Sequence, residues 1–213
     1  AAYDPALWQR LAPQLRARHT LLSGRIAASL RSGSRITEPE DDVMVFLMLM
    51  TIGFDHVQTM RQRISGPWTL SFNPVRALRP PRMSGAVHGG LHRSFDANAF
   101  HFNKPFLAKE IFWHGMLAGK SARMLYNKFP FARLHGLLLP EPERTLPQFL
   151  SPEMHGWAWA VCEQSGIDGF GLAYNSLGAG ASVNHLHFQS FVTRSTLPIQ
   201  SGDFLHNGGR RIY

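Results

Sequence analysis

The chain has 213 residues, 44% hydrophobic and 17% charged, a balance that suits one packed domain and excludes a disordered chain. Twenty-two Lys and Arg against fourteen Asp and Glu leave a net charge of +8. That field draws phosphate-bearing molecules without choosing among nucleotides, nucleic acid and anionic membrane faces. The longest near-apolar run, Val43 to Phe54, is shorter than the roughly 20 residues a bilayer requires, so no membrane span is expected. Cys162 is the one cysteine, which excludes an internal disulfide and any zinc site built on paired cysteines.

No basic start followed by an apolar run and a cleavage site is visible at the N-terminus, so a cytoplasmic location is expected. The opening at Ala1 without methionine and the close at Gly208-Gly209-Arg210-Arg211 read as the ends of a piece of a longer chain. Leu7, Leu11, Leu15, Leu22, Ile26 and Leu30 recur at helical spacing among Arg10, Arg16, Arg18, Arg25 and Arg31. This predicts one amphipathic helix or two from Ala6 to Arg31, broken at Pro13. Ser32-Gly33-Ser34 marks a loop, and the acidic run Glu38 to Asp42 suits the start of a second helix reaching Met50. Residues 1–66 are thus expected to form a helical N-terminal extension, packed as one unit with a domain over residues 67–213.

From Trp68 the texture becomes β-prone. Strands are predicted at Trp68 to Phe72, Phe100 to Phe102, Ile111 to Trp113, Ala122 to Asn127 and Gly136 to Leu139, the last two flanking a turn at Pro130. The stretch Arg76 to Arg93, rich in Pro, Gly and Arg, reads as a long exposed connection. A helix is expected over Pro152 to Ser165, then strands at Gly169 to Asn175 and Val183 to Val192. The fold class is α+β, with helices in front and an antiparallel sheet behind.

The chemistry concentrates between Gly171 and Gln189. On an extended strand alternate side chains share a face, so His185, His187 and Gln189 project together at steps of about 7 Å. The preceding loop, Ser176 to Ser182, holds Gly178 and Gly180 with small alanines, and such a loop lets backbone N–H groups approach an anion. A row of His-x-His-x-Gln beside it suits covalent catalysis at phosphorus. One imidazole attacks while its other nitrogen is held by a hydrogen bond, and the amide and second histidine donate to the phosphoryl oxygens. A bare His-x-His also reads as a packed pair on an edge strand or as two metal ligands, but glutamine is a poor ligand at the third position. No metal and no cofactor are expected.

Tyr174-Asn-Ser-Leu-Gly178 and Ser182-Val-Asn-His-Leu-His-Phe-Gln189 resemble the signature of the GDP-L-galactose and GDP-D-glucose phosphorylases. These lie in the galactose-1-phosphate uridylyltransferase branch of the histidine-triad superfamily. Asn127 to Pro140 with Leu146-Pro-Gln148, and Phe95 to Lys104, agree in order and spacing, and Leu70 to Asn73 agrees more loosely. The resemblance covers roughly residues 68 to 200 and implies a histidine-triad-like sheet. It implies His187 as nucleophile, His185 as the first histidine of the triad, and Gln189 in place of the third. By the same likeness Asn175 and Ser182 contact phosphate oxygens or the leaving sugar phosphate, Asn127 lies near the ribose, and His135 either supports the fold or lines the site.

The implied reaction is phosphorolysis of a nucleoside diphosphate sugar, GDP-hexose favoured, through a nucleotidyl-histidine. The partners are then the nucleotide sugar and inorganic phosphate, with a homodimer by analogy. Lys128-Phe129 departs from the pattern of the plant enzymes, and Asn127-Lys-Phe-Pro130 is similar to dinucleoside tetraphosphate phosphorylases, which would put Lys128 on phosphate. A dinucleoside polyphosphate phosphorylase is therefore the alternative enzyme. A catalytically silent nucleotide- or RNA-binding protein, using Arg76, Arg79, Arg82 and Arg93, is the alternative of another class, with nucleic acid not favoured. A third reading is an interaction protein whose helical front end docks a partner. The Met-rich run Val43 to Met50 reads first as core, although flexible methionines also line adaptable interfaces.

Overall fold

The structure, a computed structural model, describes residues 5–36, 43, 47, 49–51, 53, 61–66, 68–73, 76, 90, 92–193 and 195–197. The expected helix start at residues 38–42, most of the connection after Arg76 and the C-terminal glycines lie outside the described residues. Helix α1 spans Pro5–Ser32 without interruption at Pro13. A proline there removes the donor to the Gln9 carbonyl, but both residues are exposed, so water can serve that carbonyl. The helix ends where Gly33 turns left-handed at φ +66° and Ser34 N–H bonds back to Ser29 O at 3.0 Å.

A hairpin follows. Strand β1 (Arg61–Ser65) pairs antiparallel with β2 (Trp68–Phe72) around Gly66, whose φ is +58°. Residues 61–65 are strand where the sequence pattern suggests helix, because their partner across the turn supplies the ladder. Just beyond β2, Asn73 Nδ2 donates to Pro130 O and Arg76 Nη1 donates to Phe129 O, each at 2.8 Å. These two bonds tie the segment to the loop near the candidate site.

The main sheet has five strands: β3 (Ile111–Leu117), β4 (Lys120–Tyr126), β5 (Arg133–Pro140), β6 (Phe170–Ala173) and β7 (Phe188–Val192). Their order is β3-β4-β5-β7-β6, antiparallel throughout. Helix α2 (Pro152–Gln164) connects β5 to β6 and is N-capped by Ser151, whose hydroxyl accepts Met154 N–H at 3.2 Å. The α+β expectation therefore holds. Phe100 to Phe102 is not a strand: Phe102 N–H goes to His185 Nδ1 at 3.2 Å instead of to a ladder partner.

Alternation along the strands divides the core into two layers. Leu138 and Phe188 pack on one face with Ala122, Trp157 and Val161, under α2. Leu139 and Leu125 pack on the other with Phe102, Leu107 and Val183. Neighbouring Leu138 and Leu139 are both fully buried, one in each layer, and each such side chain contributes about 1.5–3 kcal/mol. The candidate site belongs to the face opposite α2.

Candidate active site

The histidines enter from the chain between β6 and β7. After β6 the loop makes a short 3-10 turn at Leu177–Ala179, capped by the Ser176 hydroxyl, and leaves it through Gly180 at φ +84°. Residues 184–187 then run against residues 146–148. Leu186 N–H donates to Leu146 O at 2.7 Å, and Gln148 N–H donates to Asn184 Oδ1 at 2.9 Å. The strand expected from Val183 consequently starts only at Phe188.

His187 is buried beside Phe102, with ring centroids 4.9 Å apart at 64°. Its Nδ1 lies 2.8 Å from His185 O. A carbonyl can only accept, so Nδ1 carries the proton and the ring lone pair is on Nε2. His185 is more deeply buried. Its Nδ1 accepts Phe102 N–H, and its ring meets Phe95 edge-on at 5.5 Å. Burial first, then the charges of His101 and His187, push its pKa down to about 4, so it is neutral at pH 7.

Gln189 is oriented by a chain of donors. Phe131 N–H donates to His135 Nδ1 at 3.0 Å, which fixes the His135 proton on Nε2. That Nε2–H then bonds Gln189 Oε1, and Asn127 Nδ2 approaches the same oxygen at 3.4 Å. With Oε1 engaged, the amino group of Gln189 is the end that can donate to an anion. Asn127 Oδ1 accepts Phe129 N–H at 2.8 Å, closing the turn after β4.

A cavity of about 150 Å³ is lined by His187, Gln189, Asn127, Lys128, Asn175 and Ser182, with Arg76 and several aromatic rings completing the wall. Lys128 Nζ is 2.7 Å from Glu110 Oε1, another lining residue. His185 and His135 are not in the lining. The rings of His185 and His187 nevertheless both pack against Phe102. The chain before Phe188 is not a regular strand, and His135 reaches the site through Gln189. Among the described residues no group of three or more His, Cys, Asp or Glu gathers as a metal site. A second cavity, about 760 Å³, is lined by residues of α2, β6 and the segment after β7, including His155, Trp159 and Cys162.

The residue that carries least sequence signal is Gln148. It is buried, and its amide bonds both backbone groups of His187 and the carbonyl of Asn175. In the sequence it is a lone amide after a proline, distinguished only by the resemblance of the Leu146-Pro-Gln148 block.

The family model described as GDPGP1-like, N-terminal domain, matches residues 52–191, which include the five-stranded sheet except Val192 and every residue named as lining the first cavity. The chain belongs to this family. A GDP-D-glucose phosphorylase 1 of Homo sapiens is 33% identical over 129 residues, 57% of this chain and 32% of the relative. One of Danio rerio is 32% identical over 119 residues, 52% of this chain and 32% of the relative. GDP-L-galactose phosphorylase 1 of Arabidopsis thaliana is 29% identical over 125 residues, 51% of this chain and 28% of the relative. The match therefore spans about a third of the length of these curated relatives. No solved structure matches the chain significantly.

Proposed function

We propose that the chain carries the nucleotidyl-transfer site of a phosphorylase that cleaves a GDP-hexose with inorganic phosphate, on a histidine-triad-like sheet. The observation that carries this reading is the His187 tautomer: Nδ1–H is held by His185 O, which leaves Nε2 as the nucleophile of a residue lining the cavity. Nε2 attacks the α-phosphorus, a P–N bond forms, and the P–O bond to the sugar 1-phosphate breaks with its electron pair going to that leaving group. An oxygen of inorganic phosphate then attacks the same phosphorus, the P–N bond breaks, and GDP leaves. The imidazolium formed between the two steps keeps its Nδ1 proton on the His185 carbonyl.

Gln189 supplies an amide donor to the phosphoryl oxygens, with Ser182, Asn175 and Lys128 around the phosphates and Asn127 toward the ribose. Removing one such donor from a site of this kind costs about 2.7–4 kcal/mol of transition-state stabilisation. His185 acts through its carbonyl and its neutral ring, and His135 through the orientation of Gln189. The positive net charge supports two anionic reactants. Among the described residues no helix is long and apolar enough to cross a membrane. The lone Cys162 supports a cytoplasmic site of action. Helix α1 belongs, on this reading, to an extension outside the transfer unit, and a homodimer remains the assembly proposed by analogy.

Phosphate-dependent product release from GDP-glucose, UDP-glucose and diadenosine tetraphosphate, measured side by side, tests the proposal. Turnover that requires phosphate and is fastest with GDP-glucose is expected. Faster phosphorolysis of diadenosine tetraphosphate would move the assignment to that substrate, for which Lys128 in the cavity wall is the supporting feature. Absent turnover with salt-sensitive RNA binding would replace the enzyme by a binding protein.

A further inference from the structure

Strands β6 and β7 pair Phe170 with Val192, Gly171 with Phe191, Leu172 with Ser190 and Ala173 with Gln189. Thr193 N–H donates to Gly169 O at 2.9 Å, which sets the hydrogen-bonded phase of this ladder. In an antiparallel ladder every second pair shares that phase, so 171 with 191 and 173 with 189 follow. The next in phase is Asn175 with His187. The ladder stops before it: β6 ends at Ala173 and β7 begins at Phe188. At that step the Gln148 amide stands between the two chains. Its Oε1 accepts His187 N–H at 2.9 Å, and its Nε2 donates to Asn175 O at 2.8 Å and to His187 O at 3.2 Å.

One side-chain amide thus answers three of the four backbone groups that a direct pair would have joined, all but the Asn175 N–H. Its own main chain is anchored at both ends, by Asn184 Oδ1 on its N–H and by Tyr174 Oη, which donates to its carbonyl at 3.0 Å. A direct pair would hold the strands about 4.8 Å apart. Asn175 and His187 both line the cavity, so closing that step would bring two of its walls together. We infer that Gln148 is a positioning residue: its amide holds the β6–β7 ladder open at the Asn175–His187 step and so fixes the main chain that presents the His187 ring. The inference rests on the reading of His187 as nucleophile and adds to it the element that opens the strand pair.

The test compares Gln148→Leu and Gln148→Glu with the unaltered chain. Three quantities are measured: thermal unfolding, kcat and KM for GDP-glucose across pH, and ¹⁵N shifts of the His187 ring, assigned by their loss in His187→Asn. Gln148→Leu keeps the volume and loses every bond. It is expected to lower kcat about 100-fold, the scale of a displaced reacting group, with KM changed by less than about threefold. The ring shifts should move from a fixed Nδ1–H form toward averaged tautomers. Gln148→Glu regains a donor only when protonated, so its kcat should recover toward acid pH relative to the unaltered chain.

Unchanged ring shifts and an unchanged kcat in a folded Gln148→Leu would overturn the inference. So would kcat losses in both variants that merely track the folded fraction. If the unaltered chain turns over no nucleotide sugar, the enzymatic reading fails by itself. The ring shifts then still decide whether Gln148 positions His187.

Discussion

Two imidazoles separated by a single leucine have different work. His187 sits at the cavity wall with its proton fixed on Nδ1, whereas His185 is sealed behind it among Phe95, His101 and Phe102. The folded state therefore prefers His185 neutral, with a pKa of about 4 against about 6.5 in an unfolded chain. A depressed histidine pKa stabilises the fold fully above the unfolded value. That contribution is lost as pH falls from 6.5 to 4, by roughly 3 kcal/mol in all. Thermal melts of the unaltered chain should drop across this window, and His185→Asn, whose amide oxygen can still accept Phe102 N–H, should flatten the drop. An identical pH slope in the variant would show that the acid sensitivity arises elsewhere.

At the level of strands and turns, the site depends on the β6–β7 pair being closed at one end and open at the other. Gly169 secures the closed end. It has φ +75°, and a Cβ placed there would meet Thr193 O at 1.9 Å. Gly169→Ala should therefore destabilise the chain by several kcal/mol, since backbone must move where no flexible side chain can yield. A melt within about 0.5 kcal/mol of the unaltered chain, the range of neutral surface changes, would contradict this.

The same pair shows what the sequence could and could not tell. Short β-prone runs bounded by turn residues were enough for β2, β4, β5 and β6, and helical spacing for α2, even though β2 is exposed along its whole length. They could not anticipate β1, whose extended form comes from its hairpin partner, or the continuity of α1 through the exposed Pro13. Spacing likewise put His185, His187 and Gln189 in one row. It could not show that Gln148, about 40 positions upstream, takes the backbone groups of His187 that a regular strand would use. His135 carries no local mark of its link to Gln189 either, since that bond depends on register between β5 and β7. Composition of the segment announced its chemistry, while the division of labour within it came from partners distant in sequence.

Across the whole molecule, the family match over residues 52–191 takes in the first cavity and all of the five-stranded sheet but Val192, and α1 precedes them. All the groups invoked for the two displacement steps lie in that span, on the sheet face opposite α2. On the proposed reaction, the net charge of +8 accounts for long-range attraction of two anionic reactants, and the cavity for the short-range selection. The most direct measurement is intact and peptide mass analysis after incubation with GDP-glucose in the absence of phosphate, quenched at alkaline pH to preserve an acid-labile P–N bond. A single GMP increment on the peptide containing His187 is expected, discharged by added phosphate and missing in a folded His187→Asn variant, which should also lack turnover. Phosphorolysis that proceeds without any such adduct, or an adduct that persists in His187→Asn, would contradict catalysis through His187.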